Sequence, residues 1–300
     1  MNTINFKHSI IFFILSILIS PTYIFLSNFE LTIFCLFLIL IIGISHGSLD
    51  NIKGKKLFNI YGINSNFIFY IAYLAISSLI IFLWVIFPDI ILLIFLIVAS
   101  YHFGKEDTVF IIKKKKFLNE LLFFFKGSSV IIAPLFFQRE ATYEIFRTLN
   151  FSIFESSLFS NNFLLSFLLI SLLSNIFLSY GKNFFFKGLV VMDFLSILIL
   201  NYFLSPILAF TLYFCFLHSI RHSITLIFEL DKTFRTGLKK FVIKAIPLTL
   251  ITGFAFVIAI YFLNNFYELN EAIYKVIFIG LASLTFPHIL LEYLLEKNEK

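Results

Sequence analysis

The stretch PILAFTLYFCFLHSIRHSITLIF, residues 206–228, holds His218 and His222 four residues apart inside an otherwise apolar run. A run of this length spans the ~30 Å hydrocarbon core of a bilayer as a helix. On that helix the spacing puts both imidazoles on one face, about 5–6 Å apart at Cβ. Neutral imidazole is the commonest metal ligand among side chains, so the pair offers one arm of a metal site. Arg221, between them, is expected to face away and to meet an acid or a lipid phosphate.

The apolar character extends over the whole chain. Hydrophobic residues make up 60% of it and charged residues only 13%, with a mean hydropathy of +0.99. A soluble domain of this size needs far more polar surface. With 45 Phe among 300 residues, a Phe stripe by itself signals little. The net charge of +6 comes from lysines clustered between apolar segments, which fits membrane anchoring and topology and gives no reason to expect nucleic acid. Cys35 and Cys215 lie in apolar runs and read as packing residues, not as a disulfide.

The predicted fold is all-α: a polytopic transmembrane helix bundle forming one integral membrane domain over 1–300. About ten spans are expected (range 8–10), at 9–27, 31–50, 67–87, 89–104, 117–137, 162–180, 188–204, 206–228, 245–263 and 273–295. Lys126 falls near the middle of 117–137; it pairs with Asp193 or, the preferred reading, that span is misdrawn. Trp84 reads as a member of an aromatic belt at the outer interface. Lysine and arginine are rich after even-numbered spans, as at Lys53, Lys55 and Lys56 or Lys232 to Lys244, and poor or offset by acids after odd ones. That alternation predicts both termini in the cytoplasm of a multi-pass protein of the prokaryotic cytoplasmic membrane.

His8 precedes the first span and reads as a solvated terminal residue. The other five histidines fall on spans two, four, eight and ten, which run the same way. Counted from the outer start of each span, His46, His102, His218, His222 and His288 lie ~18–24 Å deep at the helical rise per residue. Five ionisable residues in one intramembrane layer default to a shared function, here a metal site. Asp50 lies four residues after His46, Asp107 five after His102 and Glu292 four after His288. Each is positioned to accept the second N–H of a ligating imidazole. Iron, copper, zinc and nickel all suit a set of four or five histidines. The HExxH pattern of a zinc protease is absent.

Gly43-Ile44-Ser45-His46-Gly47-Ser48-Leu49-Asp50 resembles the GxxHGxxD motif of the Brp/Blh family of membrane β-carotene 15,15'-dioxygenases. Tyr101-His102-Phe103-Gly104 resembles its YHFG motif, Phe214 to His222 its paired-histidine motif, and Pro287-His288 its late PH motif. The four blocks follow the family's order from residue 43 to 288. Ser48 stands where a smaller residue is expected and Lys105 follows Gly104; neither disturbs a ligand. The resemblance implies a non-haem Fe(2+) oxidoreductase that uses O2 to cleave the central double bond of β-carotene into two retinal molecules. It implies metal ligands at His46, His102, His218 and His222, with His288 as a fifth, and a functional link to a retinal-binding opsin. β-Carotene and O2 would be the substrates, and membrane lipid the surrounding partner.

Tyr101, Phe103, Tyr213, Phe214, Phe216 and Phe286 flank the histidines and are candidates for a polyene tunnel, although packing is the commoner role of any one of them. Two other classes compete. A divalent-metal transporter predicts histidines spread along a path across the membrane. A structural or assembly partner of an opsin predicts histidines that bridge helices.

Overall fold

An apolar chain in a bilayer must satisfy its backbone internally, which leaves helices as the solution for these runs. The computed structural model describes residues 2–20, 28–63, 65–108, 117–151 and 159–298, with backbone alone at 2, 28–30, 46 and 66. No strand occurs among them. Helix α1 is Asn2–Ile19 and α2 is Asn28–Leu38, followed by a π-helical segment, Ile39–Gly43, and a 3-10 turn, Ile44–Leu49, that leads into α3, Asp50–Ile60. Then come α4 (Asn66–Ile86), α5 (Pro88–Glu106), α6 (Phe117–Phe137), α7 (Arg139–Thr148), α8 (Asn161–Leu178) and α9 (Phe184–Phe203). Helix α10, Pro206–Leu212, passes through a second π-helical segment, Tyr213–Ser219, into α11, Ile220–Leu230; α12 (Phe234–Leu263) and α13 (Leu269–Asn298) complete the bundle.

Local chemistry sets several of these ends. Pro88 and Pro206 occupy the first turns of α5 and α10, where a missing N–H costs nothing. Ser160 and Asn183 cap α8 and α9 by accepting the N–H groups of Phe163 and Phe186.

Among the described residues nine helical stretches are long and apolar enough to cross a membrane, and Thr3–Ile19 is a shorter apolar helix. The chain is a multi-pass membrane protein. The expected span 9–27 runs beyond residue 20 into positions outside the described residues. The span expected at 31–50 continues to Ile60, because the π and 3-10 segments carry the helix on without ending it.

Lys126 is a correction. Helix α6 has the bounds drawn from the sequence, and Lys126 is buried within it, its Nζ 3.8 Å from Asp107 Oδ2. Asp193 belongs instead to Arg221. Trp84 is a second correction: it is 2% exposed and packs on Phe95 in the core, not in an interfacial belt.

Helices α5 and α6 approach backbone to backbone. A Cβ on Gly104 would lie 1.8 Å from the Phe123 carbonyl oxygen, and one on Gly127 would lie 1.9 Å from that of Ser100. Small residues permit this approach between membrane helices, where apolar burial alone drives little association. At the periphery, α12 turns Leu250, Ile251, Phe254 and Tyr261 outward, a surface suited to lipid. The site lies between these layers, where α5, α11 and α13 meet the second π-helical segment.

Candidate metal centre

Four of the five layered histidines meet inside the bundle. The ring centroids of His218 and His102 are 5.2 Å apart, those of His102 and His288 5.3 Å, and those of His288 and His222 5.8 Å. All four residues are buried. The two histidines of the opening stretch are thus bridged by rings from α5 and α13. The side chain of His46 lies outside the described residues; its backbone sits in the 3-10 turn Ile44–Leu49.

Three imidazoles are held at Nδ1 by carboxylates. His218 Nδ1 donates to Asp107 Oδ1 at 3.0 Å. His222 Nδ1 donates to Glu106 Oε2 at 2.9 Å. His288 Nδ1 faces both oxygens of Asp50, at 2.8 and 2.9 Å. A carboxylate acceptor at Nδ1 fixes the tautomer with the lone pair on Nε2 and raises its basicity, as at metal-ligating histidines.

The carboxylates are themselves fixed. Asp107 also accepts the Tyr213 hydroxyl at 2.8 Å, and Tyr73 donates to Asp50 Oδ2 at 3.0 Å.

These partners differ from the expected ones in a physically ordered way. Asp50, expected to support His46, follows the 3-10 turn Ile44–Leu49 and meets His288 from across the bundle, while the side chain of His46 lies outside the described residues. Asp107 lies just past the end of α5 and reaches His218 across the bundle, not His102 on its own helix.

Glu106 has no counterpart in the expected set. Its signal was its place one helical turn after His102, on the same face of α5.

Glu292 comes closer than an outer supporting role requires. Ligand atoms of Glu292, His102 and His288 lie within 4.8 Å of one another, as do those of Glu292, His222 and Glu106. Its Oε1 is 3.7 Å from His288 Nε2 and accepts Lys53 Nζ at 2.8 Å. The donor set is nitrogen-rich with an oxygen beside it, which suits a mid-row divalent transition metal.

Charge supports the same fit. Four carboxylates (Asp50, Glu106, Asp107 and Glu292) adjoin the rings, together with two cations, Lys53 and Lys126. With neutral imidazoles the cluster carries a formal charge of two negative, which a divalent cation balances. Unbalanced buried charge is costly, so this donor set fits such an ion.

Arg221 faces away from the rings, as expected, and its partner is an acid. It is 1% exposed, and its Nη1 and Nη2 donate to the two oxygens of Asp193 at 2.7 and 3.1 Å. His8 is not solvated: it sits on α1, half-buried, and its Nε2 donates to the Phe216 carbonyl at 2.6 Å.

The aromatic residues divide. Phe103 packs edge-on against His218 at 4.8 Å, and Phe214 stacks on it at 5.9 Å. Tyr101 instead donates its hydroxyl to Glu120 on α6. Phe216 and Phe286 are half-buried against the core.

Comparison with known proteins agrees with this architecture. The model of the family described as "Beta-carotene 15,15'-dioxygenase" matches residues 37–296. A relative named "Beta-carotene 15,15'-dioxygenase", from an uncultured marine bacterium 66A03, is 27% identical over 263 residues. That alignment covers 85% of this chain and 90% of the relative. No solved structure matches the chain significantly. The four-histidine core and its carboxylate partners all fall within the matched region, and the chain belongs to the β-carotene 15,15'-dioxygenase family.

Proposed function

We propose that this protein is a β-carotene 15,15'-dioxygenase that uses Fe(2+) and O2 to cut the central double bond of β-carotene into two molecules of retinal. It works in the prokaryotic cytoplasmic membrane, with both termini on the cytoplasmic side. The observation that carries this reading is the buried run of four imidazoles, three with Nδ1 held by a carboxylate, inside a chain of this family. The reaction balances without an outside reductant: the carbon–carbon double bond and the O–O bond break, and each oxygen atom ends in one aldehyde.

Fe(2+) would be held by His102, His218, His222 and His288, with His46 by resemblance to the family and Glu292 as a neighbouring oxygen donor. When bound, it supplies the redox chemistry that O2 needs. The protein does the rest. Asp107, Glu106 and Asp50 keep three rings in the Nδ1–H tautomer and fix their orientation. Phe103 and Phe214 give one side of His218 an apolar wall, which excludes water and suits a polyene that arrives from lipid. A link to a retinal-binding opsin follows from the product.

The test is expression in cells that accumulate β-carotene, followed by pigment extraction. Loss of colour with appearance of retinal, abolished by an iron chelator and restored by Fe(2+), is the expected result. Persistent colour with the protein inserted and iron supplied overturns the proposal. The gathering of the rings at one point argues against a metal transporter, whose ligands would be spaced along a path.

A further inference from the structure

Helix α1 lies ahead of the family-matched region, which begins at residue 37, yet it packs on α9 and on the second π-helical segment beside His218. Its inner face is polar. Asn5 and Ser9 are fully buried there, with His8 between them. Ser9 Oγ accepts Arg221 Nη2 at 2.6 Å, and Arg221 Nη1 reaches the backbone carbonyl of Asp107 at 3.2 Å. His8 Nε2 donates to the carbonyl of Phe216, within the segment Tyr213–Ser219 that carries His218.

That carbonyl sits at an irregular point. A π-helical segment takes one extra residue into its turn and is frequent at functional sites. Here the N–H of Ile220 bonds to the carbonyls of Cys215 and Leu217 and passes over that of Phe216 between them. In regular α-helix the Ile220 N–H would take the Phe216 oxygen. The imidazole of His8 occupies that oxygen instead. Relaxation to α-helix would shift the phase by one residue, turning His218 about 100° relative to the helix that follows. The ring would then leave its place beside His102.

We propose that His8 is a positioning residue for the metal centre: its N–H holds the Phe216 carbonyl out of the α-helical pattern and so fixes the register that aims His218 at His102. Ser9 adds to the hold by anchoring Arg221, between the two histidines of that arm. The consequence for metal binding rests on the proposed function; the effect on backbone register does not.

The experiment compares the full-length protein with His8→Gln, which keeps an N–H donor, and His8→Phe, which fills similar volume without one. Co(II) serves as the metal probe, read by equilibrium binding and visible spectrum. Amide hydrogen exchange over residues 213–220 is followed in metal-free protein. His8→Phe is expected to weaken Co(II) binding about 10–100-fold, the range for lost support of a ligand, and to speed exchange in that segment. His8→Gln is expected to keep both near wild type. A His8→Phe protein that binds Co(II) as wild type, or one that loses only thermal stability, overturns the proposal, as does equal loss in both variants. If wild type itself binds no Co(II), the metal reading fails. The exchange data then still decide the role of His8 in register, since unchanged exchange in His8→Phe refutes it.

Discussion

Gly104→Ala tests whether the contact between α5 and α6 sets the geometry of the centre. The new Cβ would lie 1.8 Å from the Phe123 carbonyl oxygen, 2.7 Å from the Phe123 carbonyl carbon and 2.9 Å from the Gly127 nitrogen. All three are backbone atoms, so no side chain can swing away. To reach 3.0 Å from that oxygen, one helix must retreat by about 1.2 Å. Overpacking of this kind costs about 1–3 kcal/mol.

The functional effect is the larger one. Helix α5 carries His102 and Glu106 and leads into Asp107, while α6 carries Lys126. The shift would lengthen the 3.8 Å Lys126–Asp107 contact and move His102 from between His218 and His288. Misplacement by about 1 Å is worth roughly 100-fold in rate.

The assay pairs circular dichroism of the protein in nanodiscs with retinal formation from β-carotene. The expected result is helical content near wild type with activity down about 100-fold. Gly253→Ala on α12 is the control, since a Cβ there would meet no atom within 4 Å. Activity of Gly104→Ala close to that of wild type, or an equal loss in both variants, refutes the reasoning.

Other perturbations test the charges around the rings. Asp107→Asn leaves Lys126 buried without its carboxylate and gives His218 a neutral amide in place of a charged acceptor. Breaking one side of a buried pair costs about 3–5 kcal/mol, so adding Lys126→Met is expected to recover thermal stability lost in Asp107→Asn, but not metal binding. A double variant no more stable than the single one would show that the 3.8 Å pair carries no coupling. Glu292→Gln, which keeps shape and removes charge, is expected to weaken Co(II) binding by at least the roughly 10–100-fold seen for supporting groups and to change its visible spectrum. An unchanged spectrum with weaker binding would place Glu292 in a supporting role through Lys53 and His288.

The bundle and the depth of its histidines were legible because both depend on quantities that run along the chain. Apolar length gives the spans, and the fixed rise of a helix gives depth, so His102, His218, His222 and His288 were drawn to one layer before any neighbour was known. The partners were not legible, because they depend on angle about each helix axis and on which helices pack side by side. Asp50 illustrates the first: it follows a 3-10 turn and meets His288 from across the bundle. His8 and Lys126 illustrate the second. His8 reads from its own segment as a solvated terminal residue, and Lys126 as the sign of a misdrawn span. Each acquires its role from a residue on another helix, Phe216 in one case and Asp107 in the other. A polar residue inside or beside an apolar run is therefore best read as half of a contact. In this chain such residues converge on the arm that carries His218.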